Sequence, residues 1–134
     1  LSLAFVDSGL ANWIANALSF VGNYPFELVI VILVAMIMFL TNVKSNTATA
    51  AIFIPIVGTM ALLNGWAPLP ILFAITVATS FAFLLPMGTP PNALIYEKAQ
   101  IPIKAMVKNG LVLNAMAIGL ISVFTIFIST KFFL

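Results

Sequence analysis

The sequence of 134 residues contains no cysteine and no histidine, and its only basic residues are five lysines. Without cysteine, the chain can form no disulfide and has no thiolate for catalysis or metal binding. The lysines are scattered rather than clustered, which excludes a nucleic-acid-binding surface. The acids are Asp7, Glu27 and Glu97, and none lies deep in an apolar run. We therefore predict that the protein is not an enzyme.

Charge of either sign is scarce, because only 6% of the residues are charged and 63% are hydrophobic. A soluble domain carries roughly 25% charged residues, so this chain could not cover a surface that faces water. In lipid the backbone must form its hydrogen bonds internally, which favours helices over isolated strands. The composition predicts an all-α, multi-pass membrane protein of the cell membrane (plasma or inner membrane).

The first residues predict a helix that lies on the membrane rather than across it. The sequence begins at Leu1 in the middle of an apolar pattern, and we expect it to be a piece of a longer chain. Residues 8–22 mix apolar residues with Asn and Ser at helical spacing. Ser8 could cap the helix and Trp13 suits the headgroup level. We predict that residues 1–24 form an interfacial amphipathic helix.

Residues 25–64 contain two apolar runs, 26–40 and 48–63, separated by a polar stretch. Crossing the hydrocarbon core takes about 20 helical residues, and each run has only about 15. We predict a re-entrant hairpin with its tip at 41–47, both arms entering from one side. Hydropathy leaves two alternatives open, which are one long helix and two helices joined by a surface loop.

Residues 65–99 predict a broken transmembrane helix. The apolar run 69–85 ends in PMGTPPN, and so many prolines cannot lie inside a regular helix. We predict one arm to about Leu85 and a second from about Asn92, and the alternative is an exit loop after a complete span. Residues 100–134 predict a connector and a C-terminal transmembrane helix from about Gly110. The lysines near the connector place it in the cytoplasm, so the hairpin would open to the outside.

The polar stretch TNVKSNT and the break GTPPN are each a short interruption of an apolar element. Transporters built from discontinuous helices bring such breaks together near the middle of the membrane. Helix N-termini in these breaks attract anions, while unwound carbonyls and Thr or Asn oxygens coordinate sodium. The two breaks therefore predict one shared site for an anion and a cation.

The segments SNTATAAIFIPI and LLPMGTPPNALIY resemble the divalent anion/sodium symporter family, which includes sodium-coupled dicarboxylate, citrate and sulfate transporters. The resemblance covers nearly the whole chain and corresponds to the C-terminal repeat of such a transporter. It implies half of an inverted-repeat fold, with a second hairpin on an N-terminal repeat that this chain does not contain. It also makes a homodimer plausible.

The resemblance also implies roles for individual residues. Those that would bind or line the substrate carboxylate are Ser45, Asn46, Thr47, Thr89 and Pro90. Those that would hold a sodium ion are Thr41, Asn46 and the main-chain carbonyls of Lys44 and Gly88. The first sodium site and the remaining substrate contacts would lie on the other repeat.

Lys44 departs from the family pattern, which has a small or apolar residue before Ser-Asn-Thr. A lysine at membrane depth costs about 2.5–3.5 kcal/mol on insertion scales, so a functional role is the default expectation. Its ammonium group could replace a sodium ion, or it could contact the anionic substrate. Alternatively, the side chain points into a water-filled vestibule and only its carbonyl serves sodium.

These features predict secondary active transport of divalent organic anions similar to C4-dicarboxylates, coupled to a cation and using no covalent chemistry. Two alternatives remain open. One is a truncated membrane module that does not transport and needs a partner half. The other is a sodium-independent anion exchanger in which Lys44 replaces a sodium ion.

Overall fold

The computed structural model describes Gly9, Trp13 and residues 23–132, and every regular element in residues 23–132 is helical. This confirms the predicted all-α class. The interfacial helix predicted over residues 1–24 lies almost entirely outside the described residues. Within residues 23–132 the α-helices are α1 (Phe26–Val43), α2 (Asn46–Leu63), α3 (Pro68–Ala78), α4 (Pro90–Ala99) and α5 (Ile103–Phe132).

Proline and serine fix where the helices begin. Pro68 opens α3 and Pro90 opens α4, positions where a backbone N–H would have no helical partner anyway. Ser45 is the N-cap of α2, and its Oγ accepts a hydrogen bond from the backbone N–H of Ala48 at 3.3 Å. Because α1 ends at Val43, only Lys44 and Ser45 separate α1 from α2.

The helices α1 and α2 are longer than the sequence indicated. Each contains 18 residues, because residues 41–43 and 46–47 are also helical, and each is therefore about 27 Å long. In the part of the chain that the structure describes, α1, α2 and α5 are long and apolar enough to cross a membrane. Length alone therefore no longer favours a re-entrant hairpin over two crossings, and the hairpin stays a prediction.

The break between α3 and α4 begins earlier than predicted. The helix α3 ends at Ala78 rather than near Leu85, and α4 begins at Pro90 rather than near Asn92. We call residues 79–89 the unwound segment; it contains one 3₁₀ turn, Pro86–Gly88. The physical reason is tertiary: side chains of α1 hydrogen-bond the carbonyl of Thr79 and the N–H of Leu84. These contacts replace the bonds that would continue α3.

The helix α3 lies at the centre of the packing. It contacts α2, α1 and α5, while α1 packs mainly against α5 and touches α2 only slightly. The shared apolar core comes from all four helices and includes Val34, Ile37, Met38, Val57, Met60, Ile71, Ile75 and Ile121. At the start of α1, Phe26 packs edge-on against Trp66 with ring centroids 5.3 Å apart. The beginning of α1 and the turn after α2 therefore lie at the same end.

The helix α5 has an inside-out pattern, with small and polar residues buried and large apolar residues exposed. Its buried residues are Gly110, Asn114, Ala117, Ile121, Ser122, Thr125 and Ser129. Its exposed residues include Leu111, Met116, Leu120, Val123, Phe124 and Phe127. Small residues allow helices in lipid to approach closely, and lipid solvates the large side chains. This pattern, with three helices long enough to span, is that of a multi-pass membrane protein.

Gly110 is where α5 meets the unwound segment. A Cβ atom placed on Gly110 would overlap the carbonyl oxygen of Phe83 and lie only 3.0 Å from the Cα of Leu84. Both neighbours are main-chain atoms, which cannot move aside as a flexible side chain can. The unwound segment therefore rests directly on the backbone of α5.

We predict that Gly110→Ala destabilises the full-length protein by roughly 1–3 kcal/mol, because the added methyl group must push two backbones apart. Gly119→Ala is the matched control, since Gly119 lies on the same helix and has no atom within 4 Å of its added Cβ. That control should be neutral or stabilising by up to about 1 kcal/mol through helix propensity. Thermal unfolding in detergent measures both, and equal stability of the two variants would contradict the close contact.

Candidate functional site

The tip of the predicted hairpin, residues 41–47, lies against the unwound segment. Thr41, which has no exposed surface, lies in the last turn of α1, and its Oγ1 lies 2.7 Å from the carbonyl oxygen of Thr79. The same Oγ1 lies 2.5 Å from Oδ1 of Asn46 at the start of α2. A hydroxyl has one proton, so it can donate to only one of these acceptors at a time. Three oxygens therefore converge where a single proton is available.

Such a surplus of neutral oxygens fits a small, hard cation. In transporters, unwound carbonyls and the C-terminal ends of half-helices coordinate sodium. Both conditions hold here, because Thr41 is near the C-terminus of α1 and Thr79 directly follows α3. Among the described residues there is no group of His, Cys, Asp or Glu that could hold a metal ion. The donor set favours a monovalent ion over zinc or calcium.

Next to these oxygens is a cavity of about 480 Å³ between the hairpin tip and the second break. Its volume is in the range of small-molecule sites. The residues that line it are Ser45, Asn46, Thr47, Pro86, Met87, Gly88, Thr89, Pro90 and Ala93. All five predicted substrate residues are therefore brought together around one cavity, although their role in binding stays a prediction. Depressions on α5 and between α3 and α5 are almost entirely apolar in lining.

Two helix N-termini flank this cavity. Asn46 and Thr47 are the first two residues of α2, so their N–H groups have no partner four residues back in the helix. The second N-terminus is that of α4, which begins at Pro90 and Pro91. Each helix end carries a partial positive charge, so the two dipoles together favour an anion in the cavity.

The predicted sodium ligands are divided between the hairpin tip and the unwound segment. Thr41 and Asn46 are in direct contact, and Gly88 lines the cavity together with Asn46. A Cβ added to Gly88 would lie 3.0 Å from the carbonyl oxygen of Ala82. Any larger residue at this position would therefore push the turn away from the segment that supports it.

Lys44 is the C-cap of α1, where its backbone N–H donates to the carbonyl of Leu40 at 2.9 Å. A positive charge at a helix C-terminus is favourable because of the helix dipole. The side chain is exposed and is not among the residues that line the cavity. Its proposed roles as a sodium replacement or a substrate contact stay predictions.

The sequence pattern did not single out Asn42, and it indicated Asn92 only as part of a motif and as the approximate start of the second arm. Asn42 is almost fully buried, with 1% of its surface exposed. Its Oδ1 accepts the N–H of Leu84 at 2.8 Å, and its Nδ2 donates to Met38 at 2.6 Å. Asn92 donates to the carbonyls of Ala82 and Leu85. The contact with Leu84 joins residues 42 positions apart, so no local pattern could have revealed it.

The sequence matches a family model described as the sodium:sulfate symporter transmembrane region over residues 1–131. Solute carrier family 13 member 1 of Homo sapiens is 42% identical over 115 residues, covering 86% of this chain and 19% of that protein. Na(+)/dicarboxylate cotransporter 3 of Homo sapiens is 38% identical over 116 residues, covering 87% of this chain and 19% of that protein. Sodium-dependent dicarboxylate transporter SdcS of Staphylococcus saprophyticus is 33% identical over 121 residues, covering 90% of this chain and 23% of that protein. The chain thus spans about a fifth of the length of these relatives.

We predict that Thr41→Val destabilises the full-length protein by about 1–3 kcal/mol, because the Thr79 carbonyl loses its buried donor. Thr125→Val is the matched control, since Thr125 is also buried but its hydroxyl bonds only to a carbonyl of its own helix. That control should lose less than about 1 kcal/mol. Chemical unfolding in detergent compares the two, and equal losses would contradict a special role for the Thr41 contact.

Proposed function

Because this chain belongs to the family of sodium:sulfate symporters, we propose that it takes part in sodium-coupled transport of small divalent organic anions similar to C4-dicarboxylates. The family consists of transporters rather than enzymes. The observation that carries the proposal is the cavity in which two helix N-termini and the Ser-Asn-Thr and Thr-Pro segments meet. Since the chain spans about a fifth of its relatives, the activity is proposed for the full-length protein.

The substrate carboxylate would lie against the start of α2. The N–H groups and side chains of Asn46 and Thr47 would donate to it, while Ser45 shapes the tip through its capping bond. Thr89 and Pro90 would line the opposite side. This pocket contains no arginine, since the chain has none, so the anion would be recognised by helix dipoles and neutral donors. Two relatives are named as dicarboxylate transporters, which supports a dicarboxylate as the first substrate to test.

A sodium ion would lie between Thr41, Asn46 and the carbonyls of Lys44 and Gly88. Because Asn46 belongs to both sets of residues, the cation and the anion would share a side chain. Sodium would also offset the negative charge of the anion in a place that water reaches poorly. Binding of either ion would therefore favour binding of the other, which is the requirement for coupled transport.

We propose that α1 and α2 form a re-entrant hairpin. The support is the depth at which the tip contacts the end of α3, through the hydrogen bond from Thr41 to Thr79. Because α3 has 11 residues, Thr79 lies about 16 Å along the helix axis from the start of α3. The start of α3 follows the turn that contains Trp66, at the end where α1 begins. A hydrocarbon core is about 30 Å thick, so a tip bonded to Thr79 would lie near its middle, with the longer α1 tilted relative to α3. Irregular backbone is tolerated at that depth where it lines a cavity, and residues 45–47 line one.

The rest of the site is proposed to lie elsewhere in the protein. Ser-Asn-Thr occurs once in this chain, and the inverted-repeat architecture implied by the family requires a second hairpin for the first sodium ion and the remaining substrate contacts. Transport would then follow from movement of the hairpins and the broken helices together relative to the rest of the protein. A homodimer remains part of the proposal.

We predict that Asn46→Ala lowers sodium-dependent uptake of labelled succinate at least about 100-fold, because it removes contacts to both ions. Asn64→Ala is the matched control: Asn64 follows the opposite end of α2, and its side chain bonds only to the Met60 carbonyl there. Uptake by membrane vesicles, normalised to the amount of inserted protein, measures both. Uptake by Asn46→Ala within twofold of the wild type would reject the site.

For Lys44, the exposed side chain favours sodium coupling over replacement of sodium by the ammonium group. We therefore expect the wild-type protein to require sodium for uptake, and we expect Lys44→Ala to keep both this requirement and its sodium affinity within about threefold. Succinate uptake and exchange are measured with sodium and with choline as the replacement cation. Uptake that is independent of sodium in the wild type and becomes sodium-dependent in Lys44→Ala would instead establish the exchanger.

A further inference from the structure

The unwound segment is held from two sides by asparagine side chains that do not line the cavity. Asn42 on α1 accepts a hydrogen bond from the N–H of Leu84 at 2.8 Å. Asn92 on α4 donates to the carbonyl of Ala82 at 2.6 Å and to that of Leu85 at 3.3 Å. We call these three hydrogen bonds the asparagine clamp. All three involve main-chain groups that have lost their helical partners.

The clamp is directly connected to the proposed cation ligands. Asn42 follows Thr41 in the chain, so the same turn of α1 holds Thr79 through one residue and Leu84 through the next. On the other side, Ala82 is packed so closely against Gly88 that an added Cβ would lie 3.1 Å from the Ala82 Cβ. A change in the position of residues 82–84 would therefore move Gly88 relative to Thr41.

We infer that Asn42 and Asn92 are positioning residues, which set the affinity for sodium by fixing Gly88 at the right distance from the hairpin tip. This inference rests on the proposed function. Neither asparagine would touch the ion or the substrate. Their effect would be to keep the oxygens in the binding geometry before sodium arrives, so that binding does not have to order the segment.

The test compares Asn42→Leu with Asn114→Leu in the full-length protein. Both residues are buried, but within the described part of the chain Oδ1 of Asn114 has no hydrogen-bond partner, so removing it takes no partner from a described main-chain group. Two quantities are measured: hydrogen exchange of the Leu84 amide, and the sodium concentration that gives half-maximal succinate uptake. The first reports on the clamp itself and needs no transport.

We expect Asn42→Leu to speed exchange at Leu84 at least about fivefold and to raise the half-saturating sodium concentration at least about fivefold. The maximal uptake rate at saturating sodium should stay within about twofold of the wild-type rate. General misfolding would lower this maximal rate, so it would not produce a change in sodium affinity alone. Asn114→Leu should leave both quantities within about twofold. Unchanged exchange at Leu84, unchanged sodium affinity, or equal effects of the two variants would overturn the inference.

Asn92→Ser is the second variant, and it decides the question if Asn42→Leu does not insert into the membrane. Serine is too short to reach the Ala82 and Leu85 carbonyls, and position 92 is only partly buried, so the fold should tolerate it. Its sodium affinity should fall at least about threefold, and an unchanged affinity would overturn the inference. If the wild type shows no sodium-dependent uptake, the proposed function fails, and Leu84 exchange alone then decides whether Asn42 holds the segment.

Discussion

The structure depends on satisfying the main-chain polar groups of a helix that is broken inside an apolar protein. A backbone N–H or C=O without a partner costs several kcal/mol in lipid, so a break can exist there only if protein supplies the partners. Thr41 binds the Thr79 carbonyl, and Asn42 binds the Leu84 N–H. From α4, the Asn92 side chain donates hydrogen bonds to the carbonyls of Ala82 and Leu85. The polar last turn of α1 therefore supplies the hydrogen bonds that the break between α3 and α4 requires.

This pairing explains how the same residues can serve structure and binding. Because α1 and α3 end where α2 and α4 begin, two helix C-termini with free carbonyl oxygens and two helix N-termini lie near one place. The first kind of end favours a cation and the second favours an anion. The proposed site for sodium and a carboxylate would thus need no charged side chain, and none lines the cavity. The inside-out surface of α5 supports the arrangement, because Gly110 lets it rest directly on the unwound segment.

Much of this could be predicted from the sequence. The scarcity of charge established a membrane protein, and the prolines at 86, 90 and 91 established a broken helix. The segments SNT and TPPN identified the family and the residues that meet around the cavity. The lengths of α1, α2 and α3 could not be predicted, because hydropathy does not show whether a polar residue continues a helix or ends it. Thr41 and Asn42 are polar yet helical, while apolar residues 81–85 are not helical, since long-range bonds at Thr79 and Leu84 decide both.

Asn42 shows most clearly what sequence reasoning could not reach. It lies next to a predicted ligand, yet its partner is 42 positions away, and nothing in its immediate neighbours distinguishes it from a solvated loop residue. Lys44 is the opposite case: its charge makes it conspicuous in the sequence, but its side chain is exposed and its positive charge is favourable at the C-terminus of α1. Burial and hydrogen bonding therefore separate these two neighbours of Thr41 more clearly than residue type does.

We propose that the hairpin tip and the unwound segment form one site, near the middle of the membrane, for sodium and a dicarboxylate. An electron cryo-microscopy map of the full-length protein in a lipid nanodisc, recorded with sodium and succinate, would locate both ligands and the tip. We expect ligand density between residues 45–47 and 88–90, with the tip inside the lipid belt. Density for succinate elsewhere, or a tip that emerges on the opposite side of the belt, would contradict it.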